Sequence, residues 1–376
     1  MPPEDVCIKS ERLLDLFRSM LDIYSPSGKE EELSEYLWEY LAGHGVVIKK
    51  QAVDDTRFNL LISTGRKPPN TLFLGHIDTV PAFDIEQYGC EIREGVCYGL
   101  GAADMKSGCA AMIEAFLSAA MADCLPDSVL LALVVGEEET GDGTRMLLDE
   151  YCFDDALVAE PTDLKPCLDH YGYVEMNVRA FGDRRHAAMS GRETNAIRAM
   201  LRFLLRMEDR VESEEPDTVL NIRDLYSSES GFAVPDRCAA SIDLHVPPDI
   251  RTAEYVAALT PFADAELIRS GAVRHELDFP TMADGYRTAA SDRLPRRLQA
   301  VYAALNKEWT PVAFTSHSDA NLLQSAGCRP VILGPGQLAK AHTRDESVAI
   351  DQVIAAAQIY TQLLAGINEK KILNPT

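Results

Sequence analysis

Histidine is scarce in this 376-residue chain, and two of its copies, His76 and His342, stand close to carboxylates just beyond apolar runs. The first lies in Leu72-Phe73-Leu74-Gly75-His76-Ile77-Asp78-Thr79-Val80-Pro81. Residues two apart in an extended chain face the same side, so Asp78 can hold the His76 imidazole in the tautomer that leaves its other nitrogen free for a cation. Asp104 follows in Tyr98-Gly99-Leu100-Gly101-Ala102-Ala103-Asp104-Met105-Lys106-Ser107-Gly108, where glycines would let the backbone bring a carboxylate near a cation. Glu137, Glu138 and Glu139 leave an apolar run as three successive carboxylates, which repel one another unless a cation or a proton is shared. Glu160, in Val158-Ala159-Glu160-Pro161-Thr162, is a further carboxylate of this kind, and His342 follows Gly334-Pro335-Gly336. Two histidines with three or four carboxylates and no thiolate suit a pair of divalent ions, Zn²⁺ first, with Mn²⁺ and Co²⁺ as alternatives. Two such ions about 3.5 to 4 Å apart can polarise a carbonyl and generate hydroxide near neutral pH, which is the chemistry of amide hydrolysis.

The surrounding patterns state which elements must carry these groups. Residues 10–22 have helical apolar spacing, and Ser27-x-x-Glu30 has the spacing of a capping box opening a second helix. Phe58 to Ile62 and Thr71 to Leu74 alternate as strands do, while Ser128 to Val135 and Ala156 to Ala159 are continuous apolar runs expected of strands buried on both faces. Alternation with helices predicts an α/β domain with a mostly parallel sheet flanked by helices, its ligands at the carboxyl ends of the strands. From residue 171 to about 281 the order becomes strand, helix, two strands, helix, strand, a β-α-β-β-α-β unit able to stand alone. Beyond it the first pattern resumes with a helix near 294–305, a strand near 330–333 and a closing helix near 351–367. The expected organisation is a discontinuous catalytic domain, 1–170 with 282–376, carrying an inserted domain at 171–281.

Composition narrows the partners. With 36 basic and 59 acidic residues the net charge is −23, which argues against nucleic acid or an anionic membrane as the main partner. No apolar stretch approaches the length of a membrane span and the first residues lack the features of a signal peptide, so a cytoplasmic protein is expected. The nine cysteines are scattered, without a C-x-x-C pair, and suggest neither a disulfide framework nor a thiolate zinc site.

Gly75 to Pro81 (G-H-x-D-x-V-P), Gly99 to Gly108 (G-x-G-x-x-D-x-K-x-G), Glu138 to Gly141 (E-E-x-G), Glu160-Pro161-Thr162 and Ala341-His342 together resemble the dinuclear zinc family of acetylornithine deacetylase, succinyl-diaminopimelate desuccinylase, aminoacylase and glutamate carboxypeptidase, over essentially the whole chain. The resemblance implies that Asp104 bridges two metals, that His76 and Glu160 complete one site, and that Glu139 and His342 complete the other. It implies Asp78 as the residue orienting His76, and Glu138 as the general base that takes a proton from the water between the metals and passes it to the leaving amine. The inserted unit is similar to that family's ferredoxin-like lid and dimerisation domain, so a homodimer is implied. There His186 would hydrogen-bond the developing oxyanion, reaching into the partner subunit's site, and Asn195 would help hold substrate. Arg184, Arg185, Arg192, Lys340 and Arg344 are basic candidates for an anionic substrate, with Gly334 and Gly336 in the string beside His342.

The sequence departs from that family's pattern at Glu137, where Asp is usual, at His245, where many members carry Arg, and at His317, inserted into Phe314-Thr315-Ser316-His317-Ser318-Asp319-Ala320. The activity expected is removal of the acyl group from an N-acyl amino acid, deacetylase-like or desuccinylase-like. The alternative is an exopeptidase of the same fold, and a binding protein without catalysis is the third reading.

Overall fold

The computed structural model describes residues 6–84, 86, 88–190, 195–229 and 231–368, which fall into two units. The first unit comprises the described residues of Met1–Leu168, Thr288–Phe314 and Ser318–Thr376. Its sheet is ordered Val47–Ala52, Phe58–Ser63, Val129–Val134, Thr71–His76, Asp155–Val158, Arg329–Ile332, Cys167–His170. The middle four strands run parallel and the outer pairings are antiparallel. Val129–Val134, Thr71–His76 and Asp155–Val158 are buried at every residue, as parallel strands covered on both faces must be.

Helices close those faces. Ser10–Asp22 turns Leu13, Leu16, Phe17, Met20 and Leu21 into the core, a stripe at helical period. The Ala-rich helix Lys106–Met121 is buried from Lys106 through Ala119 and belongs to the same core as the closing helix Ile350–Asn368. Gly108 permits this depth, since a Cβ there would come within 2.5 Å of the Ala159 carbonyl oxygen. A small antiparallel sheet joins Glu91–Arg93, Val96–Tyr98 and Ser347–Ala349, so the segment after His342 is paired with the segment before Gly99.

The expected capping box does not form. The second helix, Glu31–Ala42, has Glu30 at its N-cap without a side-chain cap, because the Ser27 hydroxyl is engaged elsewhere, donating to Asp78 Oδ2 at 2.6 Å.

The second unit is Asp169–Arg287 with Thr315–His317. Its strands are ordered Val219–Ser227, Arg237–Val246, Gly172–Phe181, Arg274–Asp278, all antiparallel, with helices Ala196–Glu214 and Thr252–Ser270. This is the β-α-β-β-α-β order. Burial alternates along Gly172–Phe181, and Val174, Met176 and Val178 share a core with Met200, Phe203, Ile242 and Leu244, so one face of the sheet carries the helices. The unit runs to Arg287 and not 281, since Tyr286 and Arg287 pair with His170 and Asp169, and it takes in His317, whose ring lies 5.0 Å from that of Tyr173. No helix among the described residues is long and apolar enough to cross a membrane.

Candidate metal centre

Adjacent parallel strands end together, and the residues just past their ends converge. Thr71–His76 ends on His76, its neighbour Val129–Val134 leads to Glu137 and Glu138, and its other neighbour Asp155–Val158 leads to Glu160. Asp104 joins them from the loop before helix Lys106–Met121, where the positive end of the helix dipole favours a carboxylate. The buried His76 Nε2 is 3.2 Å from Asp104 Oδ1, 3.9 Å from Glu160 Oε1 and 3.8 Å from Glu137 Oε2. His342 Nε2 is 2.9 Å from Glu138 Oε2 and 3.6 Å from Asp104 Oδ2. Two three-donor groups result, His76 with Asp104 and Glu160, and Asp104 with Glu138 and His342, the donor atoms of each lying within 4.8 Å of one another. Asp104 is common to both.

The Glu137-Glu138-Glu139 string divides differently from its sequence reading. Glu139, read as a ligand, is exposed and belongs to neither group. Glu138, read as the base, is the carboxylate that faces His342. Glu137 is the member left beside His76, largely buried, and outside both groups. The backbone fixes this division, since the N–H groups of Glu137 and Glu138 both donate to the Asp78 carboxylate, at 3.2 and 3.0 Å. Asp78 also lies 3.4 Å from His76 Nδ1 through Oδ1, while its carbonyl oxygen is 3.0 Å from the same nitrogen.

Charge is poorly balanced in this nest. Burial pushes Glu137 well above the usual carboxylate range, does the same to Glu160 with Asp104 adding to the rise, and raises Glu138 against the bond to His342. Burial opposes charge on the imidazoles, yet the bond to Glu138 lifts His342 to about 9, and bonds to Asp104 and Asp78 lift His76 well above its ordinary value. Asp104 stays low despite burial because His76 bonds to it. The buried Glu160 Oε1 has no hydrogen-bond partner. An orphaned buried oxygen among excess carboxylates is the arrangement that a divalent cation completes, and the all-oxygen and nitrogen donor set fits Zn²⁺, Mn²⁺ or Co²⁺.

The remaining sequence-read residues have local roles. Gly334 closes on the Glu160 turn: a Cβ there would lie 2.1 Å from the Ala159 carbonyl oxygen, and its own carbonyl accepts from Thr162 N. Gly336 sits at φ +87°, accepts from Asp163 N and donates to Gln352. Lys340 and Arg344 are exposed. In the second unit, His186 is exposed with a ring nitrogen accepting from Ala188 N. Asn195 caps helix Ala196–Glu214 by accepting from Arg198 N at 3.1 Å, and Arg184 lies 3.7 Å from Asp236. Arg185 pairs with Asp183, and Arg192 lies outside the described residues.

Three further residues at the centre were given no role there by the sequence reading. Ser27 holds Asp78, Asp319 is buried and accepts from the Thr144 hydroxyl, and Glu346 accepts from the backbone of the Asp104 loop. Ser27 stood in a pattern that pointed to a helix cap, and Asp319 stood in the Phe314 to Ala320 segment likened above to the family's pattern, without a role of its own.

The sequence pattern of Peptidase family M20/M25/M40 matches residues 72–366. The acetylornithine deacetylase of Edwardsiella ictaluri is 27% identical over 93% of this chain and 96% of its own. Among solved structures, a tripeptidase from Staphylococcus aureus superposes with a TM-score of 0.82 at 21% identity, over 96% of this chain and 99% of its own. A Bacillus subtilis protein described as a dinuclear metal binding peptidase superposes with a TM-score of 0.71 at 14% identity, over 96% of this chain and 98% of its own.

Proposed function

The chain belongs to peptidase family M20/M25/M40 and is a metal-dependent hydrolase of amide bonds, and on that premise we propose that it removes the acyl group from an N-acyl amino acid, as a deacetylase or desuccinylase does. The observation that carries this reading is the arrangement of the centre: two three-donor groups sharing Asp104, with the largely buried carboxylate of Glu137 beside them and in neither. Two divalent ions, zinc first, held by His76, Asp104, Glu160, Glu138 and His342, would supply a polarised carbonyl and an acidified water. In this proposal Glu137 is the general base: it takes a proton from the attacking water and returns it to the departing nitrogen, a task suited to a carboxyl whose affinity for protons is raised by burial. Asp78 fixes the His76 ring through Nδ1, and Ser27 fixes Asp78.

The second unit supplies the rest of the reading. His186 would donate to the oxyanion of the tetrahedral state from a partner subunit, Asn195 and Arg184 would contact substrate, and two chains would associate through the inserted unit. What supports association is an exposed edge strand, Val219–Ser227, and the exposed Leu201 and Leu205 four residues apart on helix Ala196–Glu214. A cytoplasmic enzyme is the setting we infer.

The same centre would also cut a peptide bond, and the tripeptidase noted above shares its fold. Turnover of N-acetylornithine, N-succinyl-diaminopimelate and a dipeptide panel, measured with added Zn²⁺ or Co²⁺ and after chelation, separates the readings. Acyl amino acids should be cleaved only with metal present. Cleavage of peptides alone would overturn the deacylase assignment, and full activity after chelation would overturn the centre.

A further inference from the structure

We propose that Glu346 is a positioning residue that aims the Asp104 carboxylate, and that the segment 342–346 therefore governs two of the three donors of one metal group. Glu346 is 3% exposed and is not in either donor group. Its side chain instead fills the concave backbone of the loop before helix Lys106–Met121: Oε2 accepts from Gly101 N at 3.1 Å, and Oε1 accepts from Ala103 N at 2.9 Å and from Asp104 N at 3.0 Å. Successive N–H groups pointing into one concavity normally bind a free anion, so here the chain provides its own. The backbone of Glu346 is tied to the same loop, since its carbonyl accepts from Gly99 N at 3.2 Å. That bond extends the pairing of Ser347–Ala349 with Val96–Tyr98, so the two segments are joined along a strand ladder as well as through the carboxylate.

Four residues before this clamp is His342, whose Nε2 is 3.6 Å from Asp104 Oδ2. One short stretch thus delivers an imidazole and fixes the loop that presents the carboxylate opposite it. Without the Glu346 oxygens, three N–H groups of a buried turn lose their acceptors, and the loop must reorient or hydrate to satisfy them. Asp104 would move with it, and because Asp104 belongs to both donor groups, both would be disturbed.

This inference rests on the metal-centre reading, and its test keeps the two apart. Co²⁺ is titrated into metal-free wild type, Glu346→Ala and Glu346→Gln, following the visible absorption of the bound ion and the number of equivalents taken up, with thermal unfolding of the metal-free proteins alongside. Wild type should bind two equivalents; failure to do so would sink the metal-centre reading itself. Glu346→Ala should weaken Co²⁺ binding by about 10- to 100-fold, the effect of losing a group that holds a ligand in place, with an altered absorption band and a fall in kcat larger than any rise in KM. Glu346→Gln keeps one carbonyl oxygen for Ala103 N and Asp104 N, so it should recover part of the affinity and of the band. If the alanine variant does not fold, the glutamine variant decides alone. Unchanged affinity, spectrum and kcat in either folded variant, with wild type binding two ions, would overturn the positioning role and leave the centre intact.

Discussion

Replacing Glu137 by glutamine should separate proton transfer from metal binding. Its side chain is 9% exposed, with Oε2 3.8 Å from His76 Nε2, so an amide of the same shape fits without a cavity. Both three-donor groups remain whole, and two equivalents of metal should still bind. Loss of a general base lowers turnover by about 10²- to 10⁴-fold, or about 2.7 to 5.4 kcal/mol in the activation barrier. KM should change little, since the lost interaction acts in the transition state. Glu138→Gln is the mirror image: it removes a charged donor from the group of Asp104 and His342, so its first effect should be on the second equivalent of metal. Steady-state kinetics on the best acyl amino acid, paired with elemental analysis of each purified variant, reads both effects. Glu137→Gln retaining near-normal kcat, or losing an equivalent while Glu138→Gln kept both, would show that the two roles had been exchanged.

Asp78→Asn should lower Zn²⁺ affinity by about 10- to 100-fold, the usual effect of disturbing the partner of a metal-bound imidazole, and an isothermal titration with Zn²⁺ matching wild type would refute it. Lys106 is fully buried, its ammonium donating to the carbonyls of Met20 and Ile23, and burial lowers its pKa to about 7. Because the folded value lies below the unfolded one, the unfolded chain holds the extra proton between about pH 7 and the ordinary lysine range near 10.4, so this group's penalty is full below pH 7 and fades as pH rises. The stability of metal-free wild type relative to Lys106→Met should therefore climb across that window in urea unfolding, and a flat difference would refute the buried charge. For association, Leu201→Glu with Leu205→Glu should convert a dimer into a species of the 41.4 kDa chain mass by light scattering, and a wild type already at that mass would end the dimer proposal.

The parallel centre of the sheet was legible because strands covered on both faces must be apolar throughout, as Val129–Val134 is. The β-α-β-β-α-β unit was legible for the complementary reason: alternation along Gly172–Phe181 marks a sheet with one covered face. The order of the glutamates was not legible. They follow a strand through Gly136 at φ +74°, where neither strand nor helix periodicity predicts which way consecutive side chains point. Glu91–Arg93 went unseen because it is short and exposed at every residue, and Glu346 because its partners lie more than 240 positions away in the chain. Ser27 misled through its spacing: S-x-x-E satisfies a local rule, but a buried carboxylate 51 residues on competes for the same hydroxyl.

Fastening the amides of Glu137 and Glu138 to Asp78 has an evolutionary consequence. Two neighbouring side chains that face different histidines ride on a turn pinned at both amides, so inserting or deleting a single residue there should change which of them faces which. Length changes are therefore closed to this turn.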